Sequence, residues 1–157
     1  MLEQVLRELK NYFITEVWVG NFSIEDKSLV DIDFLKENQY YRISGSLFND
    51  GIHKYPSDEL VDEDFNGEIW ALAIPNAVIS LVDDINAWMK KYGDVMNSPY
   101  DSESFGGYSY SKAQGFASTG GGMLSSWQSI FARRLNQWRK VRYEPSIRRN
   151  DYVRNTE

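Results

Sequence analysis

The sequence predicts an α+β chain: a helical core of three main helices, an antiparallel β-meander inserted over about residues 17–74, and a long extended loop over about 94–123. Three observations predict it. Apolar residues recur at spacings of three and four at the start, middle and end of the chain; between Val17 and Ile74 the period falls to two; and from Asp94 to Met123 no helical period is present. A chain of 157 residues suffices for one domain that buries about 70% of the surface its unfolded form exposes. The organisation predicted is a single domain over residues 1–142 followed by a basic tail, residues 143–157.

The first helix is read over residues 2–13, where Leu2, Val5, Leu6, Leu9, Tyr12 and Phe13 form one apolar stripe. Five short runs follow, "VWVGNFSI", "SLVDIDFL", "YYRISGSLF", "GIHKY" and "GEIWALAI", rich in the β-branched and aromatic residues that suit a pleated surface. Asn49-Asp50-Gly51, between the third run and the fourth, signals a tight hairpin, because Asn and Gly tolerate the positive φ such a turn requires. Pro75 suits a first helical turn, and Val78, Leu81, Val82, Ile85, Trp88, Met89 and Tyr92 continue a stripe that Gly93 is expected to end. Ser125 or Ser126 can cap a last helix over about residues 124–142, in which Trp127, Ile130, Phe131, Leu135, Trp138 and Val141 share a face. Pro145 stops it.

Composition removes several function classes. Cysteine is absent and His53 is the sole histidine, which excludes disulfide frameworks, zinc fingers and Cys–His or Ser–His triads. No apolar run approaches the roughly 20 residues of a membrane span, and "MLEQVLRELK" is charged in its first turn, unlike a signal peptide; the expectation is a cytoplasmic chain without membrane contact. Residues 1–123 carry a net charge of −11 and residues 124–157 one of +5. An acidic body argues against a duplex-binding module, whose surface must neutralise phosphates.

Most candidate sites have plain explanations. The acids of "SDELVDEDFNGE" lack the alternating oxygens, glycine and terminal bidentate Glu of a calcium loop, and read as a solvated connection. Asp31 and Asp33 alternate with Val30, Ile32 and Phe34 as an exposed strand face would. Gly120, Gly121 and Gly122 precede a helix without the lysine of a phosphate-binding loop. His53 reads as a packed strand residue. No catalytic, cofactor-binding or metal-binding residue is assigned. The exception is "SESFGGYSYS", residues 102–111, where aromatics among serines and glycines form a segment able to extend, pair through its backbone and present Phe105, Tyr108 and Tyr110 at low entropic cost.

Taken together, "YYRISGSLFNDGIHKYP", "DEDFNGEIWALAIP", "SPYDSESFGGYSYSKA" and "WQSIFARRLNQWRKVR" resemble the head–tail connector, or adaptor, proteins of long-tailed phages and prophages of Gram-positive bacteria. The likeness covers about residues 1–142, and "SESFGGYSYS" is its most specific part. The chain departs from the plainest members, which are nearly all helical, in the strands of residues 17–74. The resemblance implies a non-enzymatic structural subunit of the phage neck, made in the host cytoplasm and needing no cofactor. It implies a ring, typically of twelve copies, between the portal protein and the tail or next neck protein, through which DNA passes without specific binding. The intersubunit residues expected are Ser104, Phe105, Tyr108, Ser109 and Tyr110; the portal-binding residues expected are Arg139, Lys140, Arg142, Arg148 and Arg149. Arginine suits the second role, since its planar fork grips carboxylates in pairs. The competing class is a phage-encoded DNA-packaging or nucleic-acid-handling factor; a third is a bacterial β-rich adaptor unrelated to phage.

Overall fold

A six-stranded sheet, and not a bundle of helices, is the framework of the chain. The computed structural model describes residues 1–96, 102–105, 108–111, 126–140 and 147–153. In chain order the elements are α1 (Leu2–Leu9), β1 (Ile14–Glu25), β2 (Ser28–Leu29), β3 (Tyr40–Ser44), β4 (Gly51–Lys54), β5 (Glu63–Leu72), α2 (Asn76–Met96), β6 (Ser102–Phe105), β7 (Tyr108–Ser111), α3 (Ser126–Ile130), α4 (Ala132–Asn136) and β8 (Arg148–Tyr152). The large sheet runs β2-β1-β5-β3-β4 with antiparallel pairing, β8 lies parallel to β1, and β6 with β7 makes a separate two-stranded sheet.

This corrects the expected α+β helical core in two respects. The sheet is not an insertion into helices: it is curled, carries its own apolar cluster and supplies most of the architecture, while the helices are mostly short. Nor is it a meander, since β5 lies between β1 and β3. The reason is length: β1 and β5 pair from Val17↔Trp70 to Ile24↔Glu63, with an irregularity between Ile14 and Glu16, so β5 satisfies the backbone of β1 along most of its length. Within this order the hairpins are local. Asp26 and Lys27 both adopt positive φ, the geometry of a two-residue type I′ turn, and return β1 into β2.

The register sets the core. Phe22 opposes Phe65, Ile43 opposes Ile69 and Tyr41 opposes Ala71, so these side chains share one face. With Ile24 and with Leu35 and Leu60 from the connections they form one buried cluster, against which Trp18, Phe34 and Tyr152 pack. A second cluster joins Val5, Leu6 and Leu9 of α1 to Val78, Leu81, Val82, Ile85 and Trp88 of α2 and to Trp127 and Leu135. Each fully buried aliphatic side chain here contributes about 1.5–3 kcal/mol.

Boundaries differ from expectation where local chemistry intervenes. The first helix stops at Leu9 because Lys10 turns left-handed at φ 52° and its N–H caps the Arg7 carbonyl. The second continues through Gly93 to Met96. The third is two short helices interrupted at Phe131, although the Leu135 N–H still reaches the Phe131 carbonyl at 2.9 Å. Of the run read as a strand over "SLVDIDFL", only Ser28–Leu29 pairs, and Asp31 sits at φ 55° off the sheet. The long loop read over 94–123 holds the end of α2 and the β6–β7 hairpin; its other residues lie outside those described. Among the described residues no helix is long and apolar enough to cross a membrane.

Candidate functional site

The segment expected to extend as one strand is folded on itself. Ser104 and Phe105 stand on β6, Tyr108, Ser109 and Tyr110 on β7, and the register is Phe105↔Tyr108, Ser104↔Ser109 and Glu103↔Tyr110. The two strands form a sheet apart from the main one. Gly106-Gly107, which lie outside the described residues, are the residue types that two-residue hairpin connections favour, and this was the signal available in the sequence.

The basic residues divide between two places. Arg139 contacts Glu8 of α1 at 3.0 Å, the Lys140 N–H donates to the Leu9 carbonyl at 3.1 Å, and the Asn11 side-chain amide donates to the Trp138 carbonyl at 3.2 Å. These bonds tie the end of the helical layer to the end of α1. Arg148 and Arg149 instead belong to β8, paired with Glu16 and Val17 of β1. Gly20 admits that strand, since a Cβ there would meet the Tyr152 carbonyl oxygen at 2.5 Å. Arg149 reaches Glu68 at 3.2 Å, while exposed Arg148 stands opposite Glu16 in the register. Arg142 lies outside the described residues. Residues 148–152 are thus a strand of the main sheet, where a solvated tail was expected.

A third feature was missed: the connection from β3 to β4. The expected tight turn at Asn49-Asp50-Gly51 is a six-residue loop, residues 45–50, with positive φ at Gly45, 93°, and at Gly51, the first residue of β4, 137°. Asn49 acts through its side chain. Buried at 4% exposure, it donates to the Val61 carbonyl at 2.8 Å and to Glu63 Oε1 at 2.6 Å, and accepts from the Val61 N–H at 2.7 Å. Ser46 donates its hydroxyl to Glu63 and accepts from the Asn49 N–H at 2.7 Å; its own N–H reaches Asp50 at 2.9 Å. His53 Nε2 lies 2.8 Å from the Asn49 carbonyl. Desolvation works to raise the Glu63 carboxyl, but the bonds from Ser46, Asn49 and the N–H groups of Leu47 and Phe48 outweigh it and hold the group below its usual value.

The large apolar residues of this loop stay outside its hydrogen-bonded platform. Leu47 is 81% exposed and Phe48 62%, beside Val61 at 50%. The loop thus fixes its backbone through its own polar groups and presents a small, preordered apolar surface. "GSLFNDG" carried the signal, because two large apolar residues inside a turn have no core to enter.

Next to this loop, which packs Gly45 on Asn66 and Gly67 of β5, the surface of the sheet is concave over β1, β5 and the end of β8. An exposed hollow of about 560 Å³ is lined by Phe22, Phe65, Tyr152 and Val153, with Asn21 and Asp64 at its rim. Phe22 stacks on Tyr152 at 4.7 Å, and the Ser23 hydroxyl donates to Asp64 at 2.5 Å. On the opposite face of the sheet Arg42 lies 4.8 Å from the Trp70 ring and 5.8 Å from that of Tyr12, its Nε 3.7 Å from Glu3, a stacked and paired arrangement that bridges α1 to the strands. Among the described residues no group of three or more His, Asp or Glu is arranged to hold a metal ion. Comparison with protein-family models, curated proteins and solved structures returns no match for this chain.

Proposed function

We propose that the chain is a structural, non-enzymatic head–tail connector subunit that assembles as a ring between the portal and the tail of a phage or prophage particle, in the neck of the virion. The observation that carries the reading is the β6–β7 hairpin, which stands as a sheet of its own, outside the six-stranded sheet. A two-stranded hairpin is marginal alone in water, and its outer edges present unpaired donors and acceptors. Pairing with a neighbouring copy satisfies both needs. The acidic body supports the channel part of the reading, because a wall that neutralised phosphates would hold DNA and not let it slide.

The basic residues remain the proposed contact with the portal, at two places: Arg139 and Lys140 beside α1, and Arg148 and Arg149 on β8. Truncating the chain before β8 is a poor test, since it strips β1 of a paired strand and Phe22 of its Tyr152 stack. The test is substitution. Portal particles are mixed with the chain and with a variant carrying Arg139→Ala, Lys140→Ala, Arg148→Ala and Arg149→Ala, and co-sedimentation is measured beside retention of duplex DNA at about 0.1 M salt, where screening reaches roughly 10 Å. The expected result is that the chain sediments with portals, the variant does not, and neither retains DNA. DNA binding by the chain, lost in the variant, with no portal binding by either, would transfer the reading to a nucleic-acid-handling factor.

A further inference from the structure

We infer that residues 138–140 are a strap closed over the junction between α1 and β1, and that the Arg139–Glu8 pair is its clasp, opened when an acidic group of a partner takes Arg139 from Glu8. The trigger rests on the portal contact proposed above; the strap does not. Among the described residues the chain passes between the helical cluster and the sheet at residues 10–13 and 73–75. The Ala73 N–H donates to the Phe13 carbonyl at 2.8 Å, so the two crossings lie side by side. A movement of one cluster against the other is absorbed in the backbone of such connections.

The junction is held in a conformation that it does not favour by itself. Lys10 and Phe13 are both left-handed, at φ 52° and 53°. A side chain with a Cβ, and a bulky aromatic above all, keeps that conformation only where its surroundings impose it. Part of the restraint is local, since the Phe13 N–H donates to Asn11 Oδ1 at 3.0 Å. The rest comes from three consecutive residues beyond α4. The Trp138 carbonyl accepts from the Asn11 amide and its ring meets that of Phe13 edge-on at 6.2 Å; Arg139 reaches Glu8 at 3.0 Å; and the Lys140 N–H donates to the Leu9 carbonyl.

One of these contacts is readily exchanged. The side chains of Arg139 and Glu8 are 40% and 24% exposed, so a carboxylate from outside competes with Glu8 on nearly equal terms, and the guanidinium is the group suited to grip it. Glu8 is not stranded by the exchange, because its Oε2 accepts from the Gln128 side-chain amide of α3 at 2.8 Å. What is lost is the hold on the strap, and the left-handed turns at Lys10 and Phe13 are then free to relax.

The experiment uses the full chain. Hydrogen exchange is followed by mass spectrometry of peptides covering residues 9–14, 73–75 and 138–140, and of 41–44 and 65–72 in the sheet, for the wild type, Arg139→Ala, Lys10→Gly and the double variant, with circular dichroism to establish that each is folded. Arg139→Ala is expected to speed exchange at the junction about two- to fivefold, the effect of losing a half-exposed ion pair, and to leave the sheet peptides unchanged. Lys10→Gly removes a Cβ from a left-handed position whose side chain is exposed; it is expected to slow the junction about two- to threefold and to offset part of the Arg139→Ala effect. An ion pair that only added stability would move junction and sheet together. Junction exchange unchanged in Arg139→Ala, a rise shared by the sheet, or no offset by Lys10→Gly would overturn the inference. The trigger is read on portal particles, where the bound chain is expected to exchange at the junction as fast as free Arg139→Ala. Portal binding with the junction still protected would overturn the inference and leave the portal reading standing. A chain that never binds portals, with the junction responding as expected in the free variants, would remove the portal reading and leave the strap.

Discussion

The helical cluster is built from side chains three and four residues apart on their own helices, while the sheet cluster joins Phe22 to Phe65 and Trp18 to Ile69 across most of the N-terminal half. Each helix can form its stripe from its own local turns, although the stripes themselves meet only over long separations, Leu9 with Val78 and both with Trp127 in one cluster; a strand of the sheet has no backbone partner at all until the intervening chain has been ordered. The difference extends to what each region leaves at its boundary. The helical cluster is closed by Trp127 and Leu135, whereas the sheet ends in β4 on one side and in a short, late-arriving β8 on the other.

The largest expected effects lie in the two clusters. Leu81→Asp and Ile43→Asp each place an unpaired charge at a buried position and are each expected to cost about 3–5 kcal/mol. If the clusters form one cooperative unit, either change lowers a single thermal transition. Two transitions moving separately would break the comparison into two domains. Next, Gly20→Val drives a side chain into the Tyr152 carbonyl and is expected to cost about 1–3 kcal/mol by displacing β8, with hydrogen exchange rising at Glu16–Gly20 and not in α2. Equal exchange everywhere would mean that β8 is no independent edge.

The helices were legible in the sequence because a stripe such as Val78, Leu81, Val82 and Ile85 states its own buried face. That clarity made them look like the core. The strands were located from their alternation, yet no local feature says that β5 pairs with β1 in preference to β4, since pairing is chosen by the fit of distant side chains. β8 was invisible for a different reason: "RRNDY" is polar and reads as a tail, and it becomes a strand because Gly20 leaves room beside β1 and Tyr152 stacks on Phe22. Of the candidate sites, the hairpin segment was found and its fold missed. The Leu47–Phe48 platform was passed over because Asn49 was read for its backbone, when its side chain organises the loop.

A smaller effect sharpens that last point. Asn49→Ala leaves Glu63 and the Val61 peptide without their shared partner and is expected to cost about 1–3 kcal/mol. Glu63 is held below its ordinary value, near 4.5, in the folded chain, so folding favours its ionised form. Its contribution is present above that value and is lost as the pH falls through the lower folded one. Glu63→Gln is therefore expected to flatten the acid limb of the stability profile, below the ordinary carboxyl value, and an unaltered profile would remove Glu63 from the platform's account. Tyr41 gives the opposite slope. Burial pushes its hydroxyl to about 12, so the stability tied to it is full below about pH 10 and falls as the pH rises toward the folded value. The smallest effect belongs to Arg149→Ala, which removes an exposed contact with Glu68 and is expected to change stability by less than about 0.5–1 kcal/mol.

The central claim is that the chain is a ring-forming subunit whose β6–β7 hairpin pairs copies together. Negative-stain imaging of portal particles mixed with the full chain, and with a chain lacking residues 103–110, tests it most directly. The account predicts rings seated on portals with the full chain, and none with the deletion, whose main sheet and helices stay folded by circular dichroism because β6 and β7 form a sheet separate from them. Rings of undiminished number from the deleted chain, or portals left bare by the full one, would contradict it.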